Sequence, residues 1–497
     1  MRQLLTSLLW LILVVPSMAE TKVEFNERIL DAQNNLFQLK LKQGGLFLAA
    51  EESANPNNLS ADYLRVIEKL LYVLSNESPE SFVQFHKQAH SALKRIEASD
   101  LKSPWIDFFQ EEIHFYTSVV HGKTGNALAA ANEVRQSYKY GERCQKNYPE
   151  FTPALKTLGL IHAGFGNLPT TYRKLVSMLG YTGTTEKGIS ELNRFVQTTP
   201  KPEMVWMQRE ARLYLAAITL YLKNDPKSAW EQATALTSDY QSNPLMVFVR
   251  ANFAEKSKKN DILINTLISC PKSPEYETIG YLNFALGVAK LQRLDADANV
   301  YLERYLSQYK GSNYVKSCYQ KLAWYDLING HSAGYQKRMQ QLTSRGEKHL
   351  EEDQQAQLEA DRGRVPDVRL LSARLLFDGG YYEKALVKLG DSKAEDYGTT
   401  LLKTEYCYRK ARIYHLLGNH KLALAFYNAC MLTGKDLSVY YASYAALYSA
   451  EIYEDQGNRS EASEFYRKSM SFKSNKEYRN SIEHRAKAGL HRVSSSK

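Results

Sequence analysis

The stretch HKQAH places His86 and His90 four residues apart, a spacing that lets two imidazoles on one helix face share a metal ion. The next helical segment offers Glu111, Glu112 and His114 as further ligands. A metalloprotease would need a glutamate directly after the first histidine, and Lys87 stands there instead. The reading adopted is two histidines on a polar helix face. A second pair, His415 and His420 in HLLGNH, straddles a glycine turn and reads as structural. Glu351, Glu352 and Asp353 lie in a densely charged stretch and read as solvated surface, since acid–base work needs carboxyls in distinct environments. Five cysteines (Cys144, Cys270, Cys318, Cys407, Cys430) form no C-x-x-C and have no evident histidine partner. Nucleophile-elbow, phosphate-loop and dinucleotide fingerprints are missing from the sequence. These residues predict a protein that is not an enzyme and holds no cofactor and no metal.

What the chain does carry is helix. Apolar residues recur at helical spacing, as with Leu64, Ile67, Leu70, Leu71 and Leu74 in SADYLRVIEKLLYVLSN. Short breakers separate such runs. Ser78 and Asp225, each followed by proline (Pro79, Pro226), predict N-caps with proline at the first helical position.

Near the C-terminus the helices repeat. Three segments align on glycine: LLSARLLFDGGYYEKALVKL, CYRKARIYHLLGNHKLALAFYNAC and LYSAEIYEDQGNRSEASEFYRKS. Five positions match, at offsets of 38 and 39 residues: Ala373/Ala411/Ala450, Leu376/Tyr414/Tyr453, Gly380/Gly418/Gly457, Ala385/Ala423/Ala462 and Leu389/Tyr427/Tyr466. The alanines let two helices approach, the large residues fill the seam, and the glycine ends the first helix with positive φ. This is the tetratricopeptide pattern. It predicts an all-α, tetratricopeptide-like solenoid of antiparallel helix pairs wound into a right-handed superhelix. A degenerate copy, NFALGVAKLQRLDADANVYLERYL, has Gly287 for the first alanine and no glycine to end its first helix.

The chain accordingly divides into a leader (1–19), an N-terminal region of degenerate helical repeats (20–331), a charged connector (332–364), the three repeats (365–476), and a capping helix with tail (477–497). The connector reads as an exposed helix pair. The leader, MRQLLTSLLWLILVVPSMAE, has a basic start at Arg2, an apolar run too short to span a bilayer comfortably, and a small-x-small site. Cleavage after Ala19 and export to the periplasm or outer envelope are expected. Net charge is +10, spread thinly, so the charge is compatible with peripheral contact to an anionic membrane, while export argues against nucleic acid as a partner.

The stretch LPTTYRKLVSMLGYTG, residues 168–183, reads as a short capped helix joining two pairs, with Tyr172, Leu175, Val176 and Leu179 on one face. Its Leu168-Pro169, Leu175, Leu179-Gly180-Tyr181-Thr182-Gly183, and then Gly188 and Leu192, resemble the eukaryotic tetratricopeptide family of the inclusion-body clearance and "tetratricopeptide repeat thirty-nine" proteins. Tyr453, Gly457, Ala462 and Tyr466, followed by the last helix EYRNSIEHRAKAGLHRV, resemble that family's C-terminus. The resemblance implies a repeat scaffold with no catalytic residues to carry over.

A protein–protein interaction scaffold is the function these features favour, holding a peptide or protein partner on its concave face. By register the groove is lined by Leu370, Arg374 and Phe377, by Tyr408, Arg412 and His415, and by Tyr444, Leu447, Glu451 and Glu454. That mixture suits an extended chain with aromatic or acidic groups. The lysine–asparagine clamp of chaperone-binding tetratricopeptide domains is not visible there. Export, charge and the family's membrane associations also accommodate an envelope-assembly or lipid-handling accessory. A metal-dependent enzyme would rest on His86 and His90 alone.

Overall fold

A computed structural model describes residues 21–166, 181–472 and 478–495. The leader with its cleavage site, and the short helix expected within 168–180, lie outside the described residues. Among those described, 24 α-helices follow one another and no strand forms; a single isolated bridge joins Lys22 to Asn58. None of these helices is long and apolar enough to cross a membrane.

The first helices are α1 (Glu27–Leu36), α2 (Leu41–Ala54), α3 (Leu59–Asn76) and α4 (Pro79–Glu97). Then come α5 (Pro104–Lys123), α6 (Ala127–Asn147), α7 (Leu155–Gly166) and α8 (Thr185–Gln197). The middle of the chain holds α9 (Val205–Tyr221), α10 (Pro226–Leu236), α11 (Pro244–Lys256), α12 (Asn260–Ile268), α13 (Tyr281–Gln292) and α14 (Ala298–Gln308). Next are α15 (Val315–Ile328), α16 (Ser332–Ser344) and α17 (Glu351–Arg362). The C-terminal array is α18 (Val368–Asp378) with α19 (Tyr382–Leu389), α20 (Thr400–Leu416) with α21 (His420–Gly434), and α22 (Tyr441–Asp455) with α23 (Arg459–Ser471), closed by α24 (Arg479–Ser495). Sequential helices pack as antiparallel pairs, an all-α solenoid. Ser78 and Asp225 cap α4 and α10 through their side chains, with Pro79 and Pro226 in the first turn.

One local rule generates most pairs. A small residue on the first helix is followed seven positions later by a residue with positive φ. The couples are Ser118/Gly125, Ala251/Lys258, Gly287/Leu294, Ala323/Gly330, Ala373/Gly380, Ala411/Gly418 and Ala450/Gly457, and in α9 the spacing is eight, from Ala216 to Asn224. Each turn is closed by a backbone hydrogen bond from the residue after the left-handed one to a carbonyl in the last helical turn, as Asn419 N–H to Tyr414 O (2.9 Å) and Asn458 N–H to Tyr453 O (2.8 Å). Leu294, Lys258 and Asn224 take the left-handed conformation without being glycine. The degenerate copy therefore keeps the turn whose glycine it lacks.

The expected connector differs. Gly330 ends α15 by the same rule, so α16 is the second helix of another repeat, and Tyr335, Met339 and Leu342 on it are buried. Tyr335 stands where the later repeats have alanine, which hides the register. Only α17 is inserted, and it is not simply solvated: Asp353 is buried and accepts the backbone N–H groups of Tyr314 (2.6 Å) and Ser317 (2.9 Å), capping α15. Burial pushes its carboxyl up to about 6.

Solenoid repeats ordinarily touch only their neighbours. Here the winding brings α1–α5 against helices far ahead in sequence. Trp206 Nε1 donates to Asn34 Oδ1 (2.7 Å) and its ring stacks on Phe37, 5.2 Å away. The N–H groups of Glu277 and Gly280 donate to Leu39 O (2.7 Å) and Ser75 O (3.0 Å). At the centre of this seam Glu77, buried and left-handed, accepts from Lys123 Nζ (2.8 Å), Tyr309 O–H (2.8 Å) and Asn313 Nδ2 (2.6 Å). Farther on, Lys258 Nζ reaches Asp378 O (3.0 Å) and Tyr381 O–H donates to Asp261 (2.7 Å).

The family-like residues from Tyr181 on fall among the described ones, and Tyr181 packs edge-on against Tyr138, 5.2 Å away. Leu192 is fully buried, and Gly188 on α8 faces Gly159 on α7 backbone to backbone. A Cβ on Gly188 would lie 2.2 Å from Gly159 O and 2.6 Å from Ala163 N, neither of which can swing aside. At Gly164, on the same α7, no described residue lies within 4 Å of where its Cβ would be. Gly188→Ala should therefore destabilise by about 2–3 kcal/mol, and Gly164→Ala should stabilise by about 0.5–1 kcal/mol. Denaturant titration of the two variants reads both signs; equal effects would contradict the close helix approach.

Candidate partner-binding groove

The repeat alanines Ala373, Ala385, Ala411, Ala423, Ala450 and Ala462 are fully buried, as are Tyr427 and Tyr466. Tyr414 stacks on Phe426 (5.7 Å), and Tyr453 packs on Phe465 (5.3 Å) at the equivalent place one repeat later. Gly380, Gly418 and Gly457 have φ of 85°, 76° and 75°. This frame aligns α18, α20 and α22 along one inner surface, with α15 continuing it.

Cations stacked on aromatic rings cover that surface. Arg374 lies over Trp324 of α15 (4.8 Å), with Asp378 at 3.7 Å. Lys321 approaches the same indole (3.9 Å). Arg409 sits over Tyr408 and Tyr441 and is paired with Glu405 (2.7 Å). Arg412 is stacked on Tyr448 at 3.7 Å and lies 5.4 Å from the Phe377 ring. Among the described residues, neither Lys321 nor Arg412 has a carboxylate within ion-pair distance. Burial, reinforced by Arg374, lowers Lys321 to about 8. A cavity of about 430 Å3 opens beside this row, bounded by Glu359, Arg374, Glu405, Tyr440 and Tyr478.

The expected groove residues divide. Arg374, Phe377, Arg412 and His415 are half-buried on the inner surface and come together. Tyr408 is only 7 % exposed, covered by Tyr440 and Tyr441, so it supports the surface and does not present it. Leu370 and Leu447 are likewise buried. Tyr444 is half-buried between Tyr440, Tyr448 and Tyr478. Glu451 is taken by Arg485 of α24 (2.6 Å), and Glu454 by Arg492 (2.7 Å). The last helix thus occupies the end of the groove that the register assigns to Tyr444 and Glu451. Trp324, Lys321, Arg409 and Tyr448 escaped the register. Tyr440, Tyr444 and Tyr448 are spaced by four, a signal for a stripe that lay in plain view.

His415 is held in one protonation state. Its Nδ1 lies 3.1 Å from the Tyr427 hydroxyl and is hydrogen-bonded to it. Burial, then Arg412, then His420 lower its pKa to about 4. The equivalent tyrosine one repeat later, Tyr466, donates to Glu454.

The other histidine pair does not converge. His86 packs on His121 (4.7 Å) while His90 is exposed. His114 is hydrogen-bonded to Glu133 (2.6 Å), and Glu111 and Glu112 are fully buried elsewhere. No group of three His, Cys, Asp or Glu side chains is arranged for a metal among the described residues. The five cysteines are free thiols, all but Cys270 buried.

A tetratricopeptide-repeat family model matches residues 404–432 and 449–476, the second and third units of the array. A comparison with curated proteins found no match. Among solved structures, the chain is similar to one titled as Naa15/Naa10 bound to HypK-THB, at 16 % identity and a TM-score of 0.23. The alignment covers 94 % of this chain and 65 % of that one, so this chain spans a little under two thirds of its length. Two units of the array are thus tetratricopeptide repeats by sequence as well as by helix geometry.

A depressed histidine pKa has a defined stability signature. As pH falls from about 6.5, the unfolded chain takes up a proton that folded His415 refuses until about pH 4. The stability that neutral His415 contributes is complete above pH 6.5 and is lost as pH falls to 4. The difference in melting temperature between pH 7 and pH 5 should therefore be smaller in His415→Gln than in the parent. An unchanged difference would show that His415 titrates normally.

Proposed function

We propose that this protein is a non-catalytic interaction scaffold, exported from the cytoplasm, that holds an acidic, aromatic-bearing segment of a partner protein on the inner surface of its C-terminal array. The tetratricopeptide repeats at 404–432 and 449–476 support a role in protein binding. The single observation that carries the specificity is Arg412, a half-buried guanidinium fixed between Tyr448 and Phe377 with no carboxylate partner among the described residues. A carboxylate from outside would meet an oriented cation whose desolvation is already met by folding. Lys321 and Arg374 on Trp324 extend the same field toward α15. Aromatic side chains of the partner would extend the stacks.

Export rests on the leader, with the mature chain beginning at Glu20. Intact-mass or N-terminal sequencing of protein from the envelope fraction should find that end; a chain retaining Met1 would remove export from the proposal.

For the groove, the probe is a fluorescein-labelled hexapeptide alternating glutamate and phenylalanine, followed by anisotropy. Arg412→Gln should weaken binding about tenfold, the equivalent of about 1.4 kcal/mol, and Lys321→Gln should add to the loss. Arg412→Lys keeps the charge but not the planar stack, and should fall between. Unaltered affinity in Arg412→Gln, with its melting temperature preserved, would count against this surface.

A further inference from the structure

Winding α1–α5 against the middle helices encloses a second cavity, far in sequence from the C-terminal array. Its volume is about 510 Å3, within the range of small-ligand and peptide pockets. Its walls are the inward faces of α3, α5, α9 and α11, with Phe37 at one side. Phe115, Trp206, Tyr214 and Phe248 make the lining strongly aromatic. At its edge Tyr221 is 57 % exposed and Val119 36 %, so apolar surface is left facing water.

One carboxylate opens into this lumen. Glu210 lines it, with 22 % of its side chain exposed. Behind Glu210 lie Lys156 and Glu112, both completely buried. Lys156 Nζ is 2.5 Å from Glu210 Oε2 and 2.5 Å from Glu112 Oε2. Tyr214 O–H donates to Glu210 (2.5 Å), and Tyr116 O–H (2.8 Å) and the Thr157 hydroxyl donate to Glu112. Every contact is satisfied, yet two carboxylates face one ammonium, which leaves one negative charge in a low-dielectric wall. Arg209, also in the lining, lies 5.0 Å from the Trp206 ring and is neutralised by Asp239, with Leu236 O as a further acceptor. The charge that remains toward the cavity is therefore negative, and beside it Phe115, Tyr214 and Phe248 add aromatic surface that a cation can approach, while the Trp206 ring is taken by Phe37 and Arg209.

We infer that this lumen is a binding site for a peptide segment that presents a lysine or arginine between large apolar side chains, its cation meeting Glu210 and its apolar groups filling the aromatic wall. The site is separate from the C-terminal groove and selects the opposite charge.

The test uses the full chain and two labelled pentapeptides, fluorescein-Leu-Phe-Lys-Leu-Phe-amide and the same peptide with norleucine for lysine. The lysine peptide should bind at least tenfold tighter. Glu210→Gln should abolish that preference while leaving the norleucine peptide's affinity unchanged. Ala217→Trp, which fills the lumen from α9, should eliminate both, with the acidic-peptide affinity of the C-terminal groove unchanged. Should Glu210→Gln fail to fold, the parent's preference and the Ala217→Trp result still decide. Equal binding of the two peptides, no binding of either, or undiminished binding in Ala217→Trp would overturn the inference. Saturable uptake of dodecanoate without any lysine preference would also overturn it, identifying an acyl-chain pocket instead.

Discussion

Much of this architecture depends on one backbone constraint: a small residue at a helix–helix contact, then seven residues on, a left-handed residue that stops the first helix and sends the chain back. The small residue sets how closely the pair packs, and the left-handed residue sets where it turns. Repeated from Ser118/Gly125 to Ala450/Gly457, the rule keeps the first helix of each pair on the inside of the curve. Both candidate sites are built on those inner helices, so each inherits its geometry from the turn and not from any local loop.

A regular turn alone would give an open spiral. What closes this one is polar chemistry at the seam between the early and middle helices. Glu77 collects an ammonium, a phenol and an amide from residues up to 236 positions away. Phe37 and Trp206 add a stacked pair elsewhere along the seam. Such long-range contacts are costly in chain entropy and must be made by several groups together. Their consequence is spatial: the apolar inner faces of α3, α5, α9 and α11, which an open spiral would spread along a groove, are gathered into a lumen with Glu210 in its wall.

The sequence shows the C-terminal half well and the N-terminal half poorly, for a physical reason. Where glycine occupies the left-handed site, as at Gly380, Gly418 and Gly457, composition and conformation coincide and the register can be read. Where Asn224, Lys258 or Leu294 occupies it, the same turn is imposed by packing against neighbours and leaves no glycine to align. Tyr335 in place of alanine conceals another repeat in what reads as a charged connector. In the groove, register alone locates Arg374, Phe377, Arg412 and His415. It cannot tell that Tyr408 lies beneath Tyr440 and Tyr441, or that α24 takes up Glu451, because those depend on neighbouring layers. The Glu112–Lys156–Glu210 cluster is invisible in one dimension, its members being 44 and 54 residues apart on three helices.

The abundance of tyrosine, 34 residues, connects these observations. A phenol offers a ring face to a cation and an O–H to an anion, and this chain uses both ends. Tyr448 gives its face to Arg412, and Tyr408 and Tyr441 give theirs to Arg409. Tyr116, Tyr214 and Tyr309 give their hydroxyls to Glu112, Glu210 and Glu77. Tyr427 turns its hydroxyl to the His415 ring instead. Phenylalanine at 116, 214 or 309 would keep the packing but take one hydrogen bond from a buried or half-buried carboxylate, at about 1–3 kcal/mol each. Tyrosine is thus what lets one helical scaffold carry a cationic inner face in one region and an anionic lumen wall in another, with neutral phenols beside the charges of each.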